Sequence, residues 1–201
     1  MEQDIIGKLI TKDNVFQIIL DTYGMPSGYM RPEGFETLCR IILEQQVSLS
    51  SATATYNRIK TLVTSFTPEA ILECTDAEFK GCGVSRQKTA YLRALAEAIV
   101  HGDINLESFA GKSTNQIRQE LIKIKGIGNW TIDIYLLLSL KSPDILPLGD
   151  IGILSVLKEL WDIHDIEDMK KHTESWAPYR TTATFLLWHY YLAKRKRNFP
   201  D

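Results

Sequence analysis

The stretch of this chain best suited to hold a ligand is residues 121–131, LIKIKGIGNWT, where a helical run meets Gly126, Ile127 and Gly128 and then resumes as WTIDIYLLLSL. Glycine tolerates positive φ and lets the main chain approach a partner closely. A helix that begins just after it presents unpaired N–H groups and the positive end of its dipole. Together these make an anion cradle, with phosphate the natural occupant. The same residues also suit a plain turn between two helices. A second chemical group is Asp150, 22 residues after Gly128 in DILPLGDIGI. It precedes the apolar run IGILSVLKEL, where a carboxylate can accept the first N–H groups of a helix, so from its local sequence alone Asp150 reads as an N-cap. Trp130 and Trp188 offer flat aromatic faces, which on a helix serve either as core or as a stacking platform. Ile134 lies one turn beyond Trp130 on the same helical face.

Positioning these groups falls to helices. Start signals followed by helical periodicity recur along the chain and sustained period-two alternation does not, so the fold is expected to be all-α. Pro32 is placed to open a helix through FETLCRIILEQQ, whose Phe35, Leu38, Ile41, Ile42 and Gln45 share one face. Ser48 can cap the next. Further starts stand at Thr67 with Pro68, at Thr75 with Glu78, at Ser85, and at Ser113 with Gln116; the second and last have capping-box spacing. The pattern predicts helices over 13–23, 33–46, 49–65, 68–73, 76–80, 86–101, 114–123, 129–140, 151–161, 165–175 and 178–195. No low-complexity linker interrupts them. The expected organisation is one unit of two helical lobes, approximately 33–112 and 113–193, with the N-terminal helix and C-terminal tail packed on them.

Composition narrows the class. With 201 residues and 44% hydrophobic content the chain can bury a substantial core, and its formal net charge of -2 means that any contact with a polyanion must be local. Cys39, Cys74 and Cys82 form no CxxC pair, which argues against a disulfide framework and a zinc ribbon. The N-terminus has acidic residues ahead of a short apolar run, and no stretch approaches the roughly 18 apolar residues of a membrane span. The chain therefore reads as a soluble intracellular protein, cytoplasmic and nucleoid-associated in a bacterium, nuclear in a eukaryote. His101 and His189 look like a helix end and a packed face, without metal-ligand spacing. Arg86 and Lys88, near a turn in GCGVSRQKTAYL, suit phosphate contact or a solvated helix face. Lys194, Arg195, Lys196 and Arg197 suit a helix C-terminus, where cations complement the dipole, and alternatively a nucleic-acid backbone.

Beyond these readings, IKGIGNWTID resembles the hairpin of the HhH-GPD DNA glycosylase superfamily, in which L-x-G-[IV]-G-x-[KW]-T-A opens the second helix. The resemblance continues to Asp150, where that superfamily carries its catalytic aspartate after an apolar-proline stretch. Two more segments, IILEQQVSLSSATA and Trp176-Ala177-Pro178-Tyr179-Arg180, resemble those of its 3-methyladenine (alkylpurine) DNA glycosylase II branch. The similarity covers roughly residues 33–193.

The resemblance implies two helical lobes flanking a DNA-binding cleft. It further implies a monofunctional enzyme, acting as a monomer on double-stranded DNA containing damaged bases, that flips an alkylated base and hydrolyses its N-glycosidic bond. Asp150 would stabilise the oxocarbenium character that develops on the sugar. Gly126, Ile127, Gly128, Asn129 and Thr131 would grip the DNA backbone, with Arg86 and Lys88 as further contacts. The Gln45-Gln46 corner would enter the base stack, Gln46 being the plug. Trp130, Ile134, Ile151 and Trp188 would form the base pocket. Relatives that also cut the strand use a lysine where this chain has Trp130, so no lyase activity is expected. No cofactor is required: the iron–sulfur cluster of some relatives is not expected because no cysteine follows Cys82. A structural Na+ or K+ could be held by the carbonyls of Ile122, Ile124 and Ile127. Ile151 and Gly149 depart from residues common in the family and put fine substrate preference in doubt. The alternatives are a noncatalytic binder of damaged DNA, a glycosylase for another base such as uracil, and an unrelated helical interaction module.

Overall fold

The computed structural model describes residues 3–27, 29–197 and 199, among which there are helices and no β-strand. In chain order the helices are α1 (Gln3–Lys12), α2 (Val15–Tyr23), α3 (Phe35–Glu44), α4 (Leu49–Leu62), α5 (Pro68–Glu73), α6 (Asp76–Gly81), α7 (Arg86–Val100), α8 (Thr114–Leu121), α9 (Asn129–Leu138), α10 (Ile151–Trp161), α11 (Ile166–Glu174) and α12 (Arg180–Lys194), with a short 3-10 helix at Leu106–Gly111.

Local chemistry accounts for most of the boundaries. Ser48, Thr67 and Ser85 each accept a backbone N–H of the helix they open, and Pro68 occupies the first turn of α5. Thr75 with Glu78 and Ser113 with Gln116 form complete capping boxes, as their spacing predicts. The start of α3 differs from expectation. The opening residue is Gly34, at φ 115, rather than Pro32, whose carbonyl accepts the Thr37 hydroxyl at 2.7 Å. Also unforeseen is α1, whose interior Gly7 and lack of a cap signal hid it; Ile6 and Leu9 are nonetheless buried, and α1 packs on α2 and α12.

The chain divides into two compact units, but not at residue 113. One is Arg31–Leu140, containing α3 to α9; the other joins the described residues up to Met30 with Lys141–Phe199. Helices α8 and α9 stay with the preceding helices because α9 packs on α3, and the Tyr135 hydroxyl accepts the Gly34 N–H at 2.9 Å.

In the second unit α12 packs on α10, α2 and α1. Its interior holds Phe16 and the fully buried Trp176, with the half-buried Trp161 against them; the two indole N–H groups converge on Asp13, Trp161 Nε1 lying 2.9 Å and Trp176 Nε1 3.2 Å from Oδ2. Arg180, which ends the WAPYR segment, forks onto Asp144 through Nε at 2.8 Å and Nη2 at 2.7 Å and holds that carboxyl below its usual range. Thr181 accepts the Ile145 N–H at 3.0 Å, and Thr184 donates to the Ile145 carbonyl at 2.9 Å. The loop that leads to Asp150 is thus stitched to the first turns of α12.

Candidate functional site

Within Arg31–Leu140, α8 ends at Leu121 and a short turn leads to α9. Gly126 sits at φ 91, and a Cβ there would lie 2.1 Å from Cγ of Tyr91, so both its dihedral and its neighbour require glycine. Gly128 is the N-cap of α9 and supplies no side-chain cap, so the cap residue leaves the first N–H groups of α9 uncovered by a side chain of its own. Gly128 and Asn129 are exposed, Trp130 is half-buried, and Ile127, Thr131 and Ile134 are buried. Any backbone contact made by Ile127 or Thr131 must therefore use the main chain. Across the hairpin, Arg118 of α8 pairs with Asp133 of α9, whose carboxyl is pushed up by burial against the opposing pull of that guanidinium.

Two expected ligand contacts are engaged inside the same unit. Gln45 Nε2 donates to the Gly126 carbonyl and to the Thr131 hydroxyl, both at 2.9 Å. Lys88 Nζ donates to the Leu43 carbonyl at 2.6 Å, and burial lowers its pKa, opposed by Glu44. Gln46, with φ 55, and Arg86 are exposed. Of the carbonyls expected to hold a monovalent cation, that of Ile124 accepts the Ile127 N–H at 3.1 Å. A carbonyl has a second lone pair, and a set of neutral backbone oxygens suits a hard cation, so the donors fit Na+ or K+. Among the described residues no group of three or more His, Cys, Asp or Glu is placed to hold a metal ion.

Within the other unit, Asp150 is the N-cap of α10, and its Oδ1 accepts the N–H of Gly152 at 2.9 Å and of Ile153 at 3.1 Å. The N-cap reading of its local sequence is therefore met. A third donor is not part of the cap: Trp188 Nε1 of α12 reaches the same oxygen at 3.2 Å. Trp188 is buried among Tyr29, Phe185 and Phe199, with Tyr29 and Phe185 stacked at 5.2 Å. The same burial pushes the Tyr29 hydroxyl pKa up. Ile151, by contrast, is 78% exposed.

Two basic residues at the end of α12 meet a carboxylate of a neighbouring helix. Lys194 and Arg195 clasp Glu159 of α10 at 2.7 and 2.6 Å and hold its carboxyl down at about 2. His189 bonds the Tyr23 carbonyl at 3.0 Å, and His101 caps the end of α7, the packed face and helix end expected of them. Sequence reasoning missed Tyr91 beneath Gly126, for which local periodicity carries no signal, and the inward turn of Gln45, which the face it shares with the buried Phe35, Leu38, Ile41 and Ile42 would have suggested. It also missed Phe185, which the three-residue spacing to Trp188 on α12 would have suggested.

Compared with known proteins, residues 39–179 match the HhH-GPD superfamily base excision DNA repair protein family. The chain belongs to this family. The HhH-GPD match spans the hairpin, Asp150 and most of the WAPYR segment. Among HhH-GPD relatives, DNA-3-methyladenine glycosylase 1 of Schizosaccharomyces pombe is 33% identical over 165 residues, covering 79% of this chain and 72% of that protein. The DNA-3-methyladenine glycosidase of Bacillus halodurans has a structure that superposes with a TM-score of 0.80 at 28% identity, over 97% of this chain and 92% of that one. The 3-methyladenine DNA glycosylase of Schizosaccharomyces pombe, solved in complex with abasic DNA, also gives a TM-score of 0.80 at 28% identity, over 94% of each chain. These are the names of the branch that the QQVS and WAPYR segments resemble, and the all-α HhH-GPD fold expected from the motifs is the fold observed.

Proposed function

We propose that this chain is a monofunctional DNA glycosylase that removes alkylated bases of the 3-methyladenine and 7-methylguanine type from duplex DNA. The observation that carries the reading is the third hydrogen bond on Asp150. An N-cap needs only the backbone donors of its own helix, which Gly152 and Ile153 supply. An indole donor from another helix fixes the carboxylate beyond what capping requires, as expected of a group that must meet a reacting atom in one orientation.

In this reading the uncapped start of α9 takes a DNA phosphate, and the target nucleotide rotates out of the stack at a cost of a few kcal/mol. Gln46, exposed with a left-handed backbone at the end of α3, fills the gap. Trp130 offers the flipped base an aromatic face, to which a cationic alkylpurine adds a cation–π component. The bond between C1′ and the base nitrogen breaks, with the electron pair leaving on the base. Asp150 stabilises the oxocarbenium-like sugar and accepts a proton from the water that attacks C1′, leaving an abasic site. Trp130 stands where a lyase would need an amine, so the reaction ends at hydrolysis. A Na+ or K+ on the carbonyls of Ile122, Ile124 and Ile127 would add positive potential at the turn. The relatives' names and the DNA in one neighbour's structure support the substrate class.

The test is incubation of the purified chain with methylated duplex DNA and chromatography of what is released. Free 3-methyladenine and 7-methylguanine are expected. Binding without base release would instead identify a damaged-DNA binder, and release of uracil alone from a mixed substrate would identify another specificity.

A further inference from the structure

Three consecutive residues at the end of α3 are each tied to a different part of Arg31–Leu140. The Leu43 carbonyl accepts Lys88 Nζ at 2.6 Å. The Glu44 carboxylate and Arg31 guanidinium, both 5% exposed, pair through bonds of 2.9 and 2.8 Å. Gln45 spends its amide nitrogen on the hairpin, reaching the Gly126 carbonyl and the Thr131 hydroxyl at 2.9 Å each. An amide NH2 has two hydrogens to donate, and here one goes to either side of the glycine turn. On another side of that turn the Tyr91 ring occupies the space a Cβ on Gly126 would need. The hairpin turn is thus held between α3 and α7. Immediately after Gln45 the chain turns left-handed at Gln46 and emerges at the exposed Val47.

We propose that Gln45 is a positioning residue that couples the strand anchor to the stack-entering corner. Its side chain holds the turn that grips phosphate, and its main chain carries the next residue, Gln46, so a duplex seated on the turn fixes where Gln46 must enter. Gln45 itself does not touch DNA. The inference rests on the reading of the hairpin and Gln46 proposed above.

The experiment measures two dissociation constants, for a duplex with a tetrahydrofuran abasic site and for the same duplex undamaged, together with thermal unfolding. Coupling predicts that Gln45→Met, which removes both donors at similar size, lowers the preference for the abasic duplex about tenfold, the scale of two net hydrogen bonds. Thr131→Val, which removes one acceptor, should lower it about threefold, and Thr131→Ser, which restores the hydroxyl, should recover it. A merely structural Gln45 would weaken both affinities in proportion to the lost stability and leave their ratio unchanged, and that result overturns the proposal. Should Gln45→Met fail to fold, the Val and Ser variants of Thr131 decide alone. A wild-type chain without any preference for the abasic duplex removes the functional reading first, and this inference with it.

Discussion

Trp188 and Asp150, 38 residues apart in sequence, meet through an indole N–H that donates to Oδ1 at 3.2 Å. The same oxygen accepts two N–H groups from the first turn of α10, so one carboxylate oxygen is fixed from two helices at once. Trp188→Phe keeps an aromatic ring among Tyr29, Phe185 and Phe199 and removes only the donor. Single-turnover base release, measured well below the melting temperature, should fall by about three- to tenfold, the worth of one hydrogen bond. An unchanged rate would assign Trp188 to packing alone.

Gly152 provides an independent handle on the same carboxylate. A Cβ at this position would stand 3.0 Å from Asp150 Oδ1 and 3.4 Å from the Tyr191 ring, so the carboxylate or the ring must give by a few tenths of an ångström. Replacing glycine with alanine inside a helix is otherwise worth up to about 1 kcal/mol of stability. Gly152→Ala should therefore slow base release by about tenfold, since small displacements of a reacting group are costly, without a matching loss of melting temperature. Equal activity would mean that the carboxylate needs no fixed placement.

How much of this was legible before the structure depended on distance along the chain. The capping boxes at Thr75–Glu78 and Ser113–Gln116 were readable because partners three residues apart carry the whole signal. Asp150 was readable as a cap for the same reason. Its bond to Trp188 and the bonds from Gln45 to Gly126 and Thr131 span 38, 81 and 86 residues, and no periodicity records them. The family resemblance put the Gln45-Gln46 corner in the base stack, whereas the Gln45 amide bonds the hairpin. The division between units was misplaced for a related reason: the sequence shows where helices begin, but the packing of α9 on α3 that keeps the hairpin in Arg31–Leu140 is nonlocal.

The pH dependence of stability should reveal the carboxylates that tie α12 to its neighbours. Glu159, clasped by Lys194 and Arg195, has its pKa lowered from 4.5 to about 2, and Asp144 is lowered by Arg180. An acid whose folded pKa is depressed contributes stability that is present above its unfolded value and disappears as pH falls through the folded one. Melting temperature should accordingly drop between about pH 4.5 and 2, and the double variant Glu159→Gln with Asp144→Asn should flatten that slope. Because both pairs are partly exposed, the effect should shrink in high salt. An unaltered slope in the double variant would place the acid transition elsewhere.

With Trp130 in the first turn of α9, the strand is expected to stay intact. Strand cleavage by β-elimination would require an amine at the sugar, and the first turn of α9 offers an indole instead. Borohydride treatment of the wild-type chain with abasic-site DNA should trap no covalent adduct on a denaturing gel. A trapped adduct would show that another amine reaches C1′.

The most direct test of the account is Asp150→Asn, because asparagine caps a helix about as well as aspartate and removes only the charge. Release of 3-methyladenine in a single turnover should fall by at least about 10² to 10³, the scale for losing one electrostatic stabiliser. Affinity for an abasic duplex and the melting temperature should be retained. Full base release by the folded Asn variant would contradict the assignment of Asp150 and leave it as no more than the cap of α10.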